Sequence, residues 1–224
     1  MIPIKDENPT RTFPIITVLI ILVDALIYFY QASLGPYEEE FILRLGAIPY
    51  EVTRLRDMPP PNLISPPFTI ISSMFLHGGF AHLAGNMLYL WVFGNNVEDT
   101  LGHFRFLLFY LVTGVAAAIT QITFYPNSPI PMIGASGAIA GVLGAYILLF
   151  PHARILTLFF FFLIPRIIYM PAVFFLGIWF LFQILGSAGG GGVAWFAHIG
   201  GFIAGLILIK PFLPFRRRYF RFGG

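Results

Sequence analysis

Residues 134–141 place one serine among small residues at the start of an apolar segment. The stretch reads Gly134-Ala135-Ser136-Gly137-Ala138-Ile139-Ala140-Gly141. The segment that opens at Ser136 ends before Pro151, which predicts a helix of about 15 residues, or roughly 22 Å. Because a lipid hydrocarbon core is about 30 Å thick, a helix of this length cannot cross a membrane alone. If its far end reaches one surface, Ser136 lies below the other surface, in a buried and hydrated pocket.

The composition indicates a membrane protein. The chain has 224 residues, of which 58% are hydrophobic and 10% are charged, whereas soluble domains carry roughly 25% charged residues. There is no cysteine, so disulfides are excluded. A span needs about 20 mainly apolar residues, and six candidate spans follow one another along the chain. They are residues 13–32, 68–93, 106–124, 136–150, 167–185 and 195–212. The predicted fold class is an all-α membrane protein, a bundle of six transmembrane helices with a short central fourth span.

The distribution of positive charge predicts the orientation of these spans. Basic residues at Lys5, Arg11, Arg154 and Arg166 and after residue 213 alternate with connections that are neutral or of mixed charge. Positive connections stay on the cytoplasmic side, so both termini are predicted to be cytoplasmic. The predicted units are a tail at 1–12, a six-helix domain at 13–212 and a basic tail at 213–224. The basic tail is interpreted as a topology anchor, and no nucleic-acid partner is expected.

Several local patterns refine this arrangement. Residues 39–45 favour a short interfacial helix, residues 94–96 are predicted to end the second span, and residues 97–105 then form a polar turn. The apolar run at 156–164 is too short to span and is expected at the membrane interface. Asp24, an acid in the middle of the first span, serves either as a proton relay or as a packing residue, and the packing role is favoured.

Three polar residues are predicted to lie at the depth of Ser136. His82 and Asn86 are four residues apart in the outer half of the second span, which places them on one helical face. His198 comes early in the sixth span. A serine needs an adjacent base to become a nucleophile, and histidine is the usual one. Hydrolysis of an amide also needs donors for the developing oxyanion, and the free N–H groups at a helix N-terminus supply them.

Small residues four apart predict how the serine and the histidine meet. Gly137 and Gly141 form such a pair on the fourth span, and Ala197, Gly201 and Gly205 do so on the sixth. Faces of this kind let membrane helices pack closely. The fourth and sixth spans are therefore predicted to be in direct contact.

These motifs together resemble those of the rhomboid intramembrane serine proteases, over nearly the whole chain. The matching residues are His77-Gly78-Gly79-Phe80-Ala81-His82-Leu83-Ala84-Gly85-Asn86-Met87, Gly134-Ala135-Ser136-Gly137-Ala138 and Ala197-His198-Ile199-Gly200-Gly201-Phe202-Ile203-Ala204-Gly205. The resemblance implies a catalytic dyad of Ser136 and His198, with no metal and no cofactor. It also implies an oxyanion hole formed by the Ser136 backbone N–H, Asn86 and His82. His77, Gly134, Gly137 and Ala140 are expected to support the pocket.

The resemblance further implies the substrates and their path. Family members cleave transmembrane proteins near the outer membrane surface, so the expected partners are such substrates and the lipid bilayer. The expected location is the cytoplasmic membrane of a bacterium. Substrates are expected to enter sideways between the second and fifth spans, below a cap at 186–192. The gate residues would be Trp91 or Phe93 on one side and Phe174, Phe175 and Trp179 on the other.

Two departures from the family pattern affect details of the site. Some members have a tyrosine that packs on the catalytic histidine at the position of Ala140, so here another group, for instance an aromatic residue of a neighbouring span, must orient His198. The tryptophan–arginine pair of the first outer loop of several members is also absent, since the loop at 35–66 holds arginines but no tryptophan.

Two other classes of protein share part of this pattern. One is an inactive membrane chaperone that resembles the family; the presence of both Ser136 and His198 argues against it. The other is a metalloprotease or metal transporter that uses His77, His82 and His198. It is disfavoured because the chain has no His-Glu-x-x-His motif and no internal repeat. The physiological substrate and the oligomeric state stay open.

Overall fold

Helices make up most of the chain, and one small sheet joins several of them at one end. The computed structural model describes residues 1–161, 164–189 and 192–214. The helices are α1 (Ile15–Ser33), α2 (Glu38–Leu45), α3 (Pro49–Arg54), α4 (Thr69–Ser72), α5 (Phe80–Tyr89), α6 (Asn95–Leu101), α7 (His103–Phe124), α8 (Ser136–Leu149), α9 (Ala172–Ser187) and α10 (Trp195–Phe212). The strands are β1 (Ile2–Asp6), β2 (Arg154–Phe161) and β3 (Ile164–Pro171). A π-helical turn at Leu90–Gly94 links α5 to α6.

The apolar helices agree in part with the predicted spans. In the described part of the chain, α1, α7 and α10 are long and apolar enough to cross a membrane, whereas α8 and α9 are shorter apolar helices. The short helix predicted as the fourth span is confirmed, because α8 has 14 residues and begins at Ser136. Residues 138–146 of α8 are all buried, as expected for a helix at the centre of a bundle. The predicted sixth span coincides with α10.

Glycines bring α8 and α10 into contact at the level of the backbone. A Cβ atom on Gly201 would overlap the carbonyl oxygen of Gly137, and one on Gly205 would overlap the carbonyl oxygen of Gly141. The opposite face of α8 is equally close to α7, since a Cβ on Gly141 would also overlap Thr113. The predicted contact between the small-residue faces of the fourth and sixth spans is therefore confirmed.

A three-stranded antiparallel sheet, in the order β1-β2-β3, departs from the predicted all-α fold. The predicted N-terminal tail contributes β1, and the predicted interfacial run at 156–164 lies mainly in β2. Helix α9, which corresponds to the predicted fifth span, begins at Ala172 instead of at the predicted residue 167. Residues 164–171 are rich in isoleucine, and β-branched and aromatic side chains fit a pleated strand well. Their backbone groups pair with β2, so the prediction of a span from residue 167 was wrong for residues 167–171, which are the second part of this strand.

The predicted second span differs at both ends. Its helix is interrupted before α5, where Gly79 has a φ of +152°, and it does not end at 94–96 but continues through α6. Glu98 lies on α6, and its carboxylate accepts hydrogen bonds from the backbone N–H groups of Ile16 and Thr17, at 2.9 and 2.8 Å. A carboxylate satisfies the free N–H groups and the positive end of the dipole at a helix N-terminus. Glu98, which was expected in a polar turn, thus lies in a helix and anchors the N-terminus of α1.

The connections between the helices lie at the two ends of the bundle. At one end, β1 pairs with β2, which joins the N-terminal segment to the connection between α8 and α9. At the other end, Ala47 and Met132 form a β-bridge, so the connection after α1 packs on the loop that leads into Ser136. Helix α2 confirms the short helix expected at 39–45. Residues 190–191 of the predicted cap and residues 215–224 of the predicted basic tail lie outside the described residues.

Candidate active site

Ser136 is the first residue of α8 and is presented by a constrained loop. Gly134 has a φ of +115°, a conformation that favours glycine, and its N–H donates to the Ser73 carbonyl oxygen at 2.8 Å. Ala135 occupies the N-cap position, where no side chain bonds the helix end. Serine, threonine or aspartate would usually satisfy one of the N–H groups there. An alanine cap therefore leaves the first N–H groups of α8 available to another acceptor.

His198 lies on the first turn of α10 and faces Ser136. Its Nε2 atom is 2.8 Å from Ser136 Oγ, which is hydrogen-bond distance. This contact depends on the close packing of α8 and α10, because Gly137 follows the serine and Gly201 lies three residues after the histidine. Both Ser136 and His198 are half-buried. The arrangement allows the imidazole to take the hydroxyl proton.

His82 and Asn86 lie together on α5, next to the loop before Ser136. The N–H of Gly78 donates to His82 Nδ1 at 3.3 Å, so in the neutral ring the proton is on Nε2. A Cβ atom on Gly134 would lie 2.9 Å from His82 Nε2 and 3.8 Å from Asn86 Nδ2. Two side-chain donors therefore border the backbone that leads into Ser136.

The side-chain amide of Asn86 is a buried donor beside the serine. Its Nδ2 atom has no hydrogen-bond partner among the residues that the structure describes, and Asn86 is 7% exposed. A buried N–H group without an acceptor costs about 1–3 kcal/mol. Such a donor beside a nucleophile is suited to an oxygen that becomes negative only during a reaction.

A cavity of about 810 Å³ holds these four side chains. It runs between α5 and α9 and down the face of α8 that carries Ile139 and Leu143. Its described lining includes no aspartate, glutamate, lysine or arginine. The space is therefore large, free of carboxylate, ammonium and guanidinium groups along its described lining, and apolar at its inner end.

Residues 66–215 match the family model described as the Rhomboid domain. The chain belongs to the Rhomboid family. The match covers α4 to α10 and includes Ser136, His198, His82 and Asn86.

Curated relatives of this rhomboid resemble it over part of their length. Rhomboid protein 1, mitochondrial, of Saccharomyces cerevisiae is 35% identical over 158 residues, which are 65% of this chain and 42% of that protein. Rhomboid protease AarA of Providencia stuartii is 29% identical over 149 residues, 59% of this chain and 50% of that protein. Rhomboid protease GluP of Bacillus subtilis is 49% identical over 76 residues, 34% of this chain and 14% of that protein. The chain thus spans half or less of each of these relatives, two of which are named as proteases.

The remaining pocket residues of this rhomboid have distinct positions. His77 is fully buried, and its ring stands edge-on to His82 with the centroids 5.2 Å apart. Its backbone carbonyl accepts a hydrogen bond from Gln31 Nε2 at 2.6 Å, which fixes the break before α5. Ala140 is buried inside α8. No three metal-ligating side chains come together anywhere in the described ranges.

The gate residues expected from the resemblance divide into three groups. Phe93 and Phe175 are both fully buried, and their ring centroids lie 5.9 Å apart, so they belong to the core. Trp91 and Phe174 are exposed on the outside of the bundle. Of the five, only Trp179 lines the cavity, and its ring lies near that of His198.

Gln183 is a residue of the site that sequence reasoning missed. Its Oε1 atom lies 2.8 Å from His198 Nδ1, on the opposite side of the ring from Ser136. The signal was present in the sequence as the one amide side chain within the predicted span 167–185. Polar groups inside a membrane usually face the bundle interior and have a partner there. Asp24, by contrast, is buried on α1, and neither of its carboxylate oxygens has a partner within the described residues.

Proposed function

We propose that this rhomboid is an intramembrane serine endopeptidase that hydrolyses peptide bonds in or near transmembrane segments of membrane proteins. Its proposed catalytic dyad is Ser136 and His198. The observation that carries the proposal is the 2.8 Å distance between Ser136 Oγ and His198 Nε2, inside a cavity of about 810 Å³. Relatives named as proteases are in agreement with it.

In the proposed reaction His198 acts first as a base and then as an acid. Its Nε2 atom takes the proton of Ser136 while Oγ attacks the scissile carbonyl carbon. The imidazolium then gives that proton to the leaving amine, and the C–N bond breaks. Water, deprotonated by the same nitrogen, next attacks the acyl-serine, which releases the acid product and restores the hydroxyl.

The oxyanion of the tetrahedral intermediate is assigned to three donors. They are the Ser136 backbone N–H, the His82 Nε2–H and the Asn86 Nδ2–H. No side chain caps the N-terminus of α8, and the N–H of Ser136, the first residue of the helix, is among the groups that have no intrahelical acceptor. The Asn86 amide nitrogen has no partner among the described residues. Donors fixed in advance cost no reorganisation during the reaction, and one such donor is typically worth about 10²–10³ in kcat.

The membrane arrangement is part of the proposal. We place residues 13–212 as a six-span domain with both termini in the cytoplasm, and Ser136 toward the outer surface. The positive charges at Lys5, Arg11 and Arg154 support this orientation. Lys5 lies in β1 and Arg154 in β2, and these two strands pair with each other. The expected location is the cytoplasmic membrane of a bacterium. Substrates would reach the dyad between α5 and α9.

Cleavage of a transmembrane reporter in lipid vesicles tests the proposed function. Ser136→Ala and His198→Ala should each lower kcat by at least about 10³-fold, because the dyad acts as a unit. Ser128→Ala is the matched control, since Ser128 lines the same cavity but its hydroxyl accepts from the Ile130 N–H instead of facing His198. That variant should cleave at the wild-type rate.

Labelling with a fluorophosphonate separates a protease from an inactive relative. Wild type should be labelled at Ser136, and Ser136→Ala should not be labelled although it remains folded. Cleavage that persists in the Ser136→Ala protein would overturn the proposal. A wild-type protein that neither cleaves nor reacts would indicate the inactive membrane chaperone instead.

A further inference from the structure

Gln183 holds the side of His198 that faces away from the serine. It lies on α9 and is 6% exposed. Its Oε1 atom is 2.8 Å from His198 Nδ1, and its Nε2 atom donates to the Trp179 carbonyl oxygen, also at 2.8 Å. Both ends of the amide are therefore engaged.

The contact with Trp179 determines which way the amide points. A backbone carbonyl can only accept a hydrogen bond, so the NH₂ end of Gln183 must face it. The amide oxygen is then the end that faces His198, and it can only accept. Neutral imidazole carries one proton on one of its two nitrogens, so Nδ1 must hold it. The lone pair is left on Nε2, which faces Ser136 Oγ.

We infer that Gln183 is a positioning residue that holds His198 in the tautomer and ring orientation needed for Nε2 to take the proton of Ser136. This inference rests on the proposed function of the dyad. In serine proteases with a triad, a buried carboxylate has this role. Here a neutral amide does it, which avoids an additional charge in a membrane-embedded site.

The hydrogen bond from His198 to Gln183 takes over the orienting role that Ala140 cannot fill. A methyl group at this position cannot pack across the histidine ring as a tyrosine does. The rings of Trp179 and Trp195 lie near His198, with centroid distances of 6.1 and 6.2 Å, and they confine the ring sideways. An aromatic face does not distinguish the two ring nitrogens, whereas a hydrogen bond to Nδ1 does.

Two substitutions of Gln183 separate positioning from simple packing. Gln183→Met keeps the length of the side chain but cannot accept the Nδ1 proton, and kcat should fall about 10²-fold while KM stays within about twofold because the cavity keeps its shape. Gln183→Glu accepts the same hydrogen bond and should recover at least tenfold over the methionine variant. Ile184→Met, on the lipid-facing side of the same helix (45% exposed), is the control and should match wild type.

The pH dependence of kcat distinguishes positioning from packing, because a loss of packing alone would not shift its midpoint. A carboxylate next to Nδ1 favours the imidazolium, so the acidic midpoint of kcat should lie about one unit or more higher in Gln183→Glu than in wild type. The other titratable side chains that line the cavity are His82, Tyr89 and Tyr125, and they are the same in both proteins. The inference is overturned if Gln183→Met is folded and cleaves like wild type. It is also overturned if both variants lose activity equally with an unchanged profile.

The tautomer can be measured without any activity. In ¹⁵N-histidine-labelled Ser136→Ala protein, the neutral His198 ring should carry its proton on Nδ1, and adding Gln183→Met should give a mixture of the two tautomers. A ring protonated on Nε2 when Gln183 is present would overturn the inference even if the protease proposal holds. Conversely, an inactive wild type with the Nδ1–H tautomer would refute the proposed function and leave the hydrogen-bond assignment standing.

Discussion

Replacing Gly201 by alanine should separate the two helices that carry Ser136 and His198. The new methyl group would overlap the carbonyl oxygen of Gly137 and would lie 3.3 Å from the side chain of Ala117. The first obstacle is backbone, which cannot rotate out of the way as a flexible side chain does. Helix α10 must therefore move away from α8 near the serine and the histidine.

The size of the movement follows from ordinary contact distances. Non-bonded heavy atoms are most stable at about 3.5–4.0 Å, so relief of the overlap requires a shift of roughly 1 Å. The Ser136–His198 distance, now 2.8 Å, would grow by a similar amount and exceed the hydrogen-bond limit of about 3.2 Å. A displacement of about 1 Å can cost 10²-fold in rate. Overpacking lowers the free energy of unfolding by about 1–3 kcal/mol. The higher helix propensity of alanine offsets up to about 1 kcal/mol of this loss.

Cleavage of a transmembrane reporter and the fluorophosphonate labelling rate, both per folded protein, measure the effect. Gly201→Ala should lower both about 100-fold, with a small decrease in Tm. The control is Gly177→Ala on α9, where a Cβ atom meets nothing within 4 Å. It should keep wild-type activity and an equal or higher Tm. If folded Gly201→Ala keeps a rate within threefold of wild type, the close contact of α8 and α10 does not set the geometry of the dyad.

Two further predictions concern acids remote from the dyad. Burial raises the pKa of Asp6 in β1, although a hydrogen bond from Tyr146 opposes this. The folded state therefore retains a proton that the unfolded chain loses. The free energy of unfolding then falls as the pH rises above the ordinary pKa of aspartate. Asp6→Asn keeps an acceptor for Tyr146, so Tm should fall less as the pH rises above the ordinary aspartate pKa of about 3.9, and an unchanged dependence would contradict this. Asp24→Leu removes a buried carboxyl that has no partner among the described residues. It should raise Tm, since such groups cost about 1–3 kcal/mol, and leave kcat within twofold; a folded but inactive variant would instead support a proton relay.

The positions of the long helices and of the short one could be read from the amino-acid pattern. The helix at Ser136, the sixth span at 195–212 and the contact of the small-residue faces all follow from local rules. Apolar length, the residues that end a helix and the spacing of glycines each act over a few turns of one segment. The strands could not be read in this way. Residues 167–171 are apolar enough to be taken as the start of a span, and only their pairing with β2 shows that they form a strand.

The same division holds for the candidate site. The depth of Ser136, His82, Asn86 and His198 could be estimated by counting along each helix, because the rise per residue is constant. Gln183 could not be assigned a partner by counting. Its contact depends on the rotation of α9 and on its distance from α10, and both are set by packing between segments that are separate in the sequence.

Residue types and their spacing thus determined that this chain holds a serine, a histidine and two amide or imidazole donors at one level of a helical bundle. Tertiary structure decided which atoms meet. It brought Ser136 Oγ to 2.8 Å from His198 Nε2 and Gln183 Oε1 to 2.8 Å from His198 Nδ1. Hydrogen bonds are lost over a few tenths of an ångström, a precision that only the packed contact of three helices can supply.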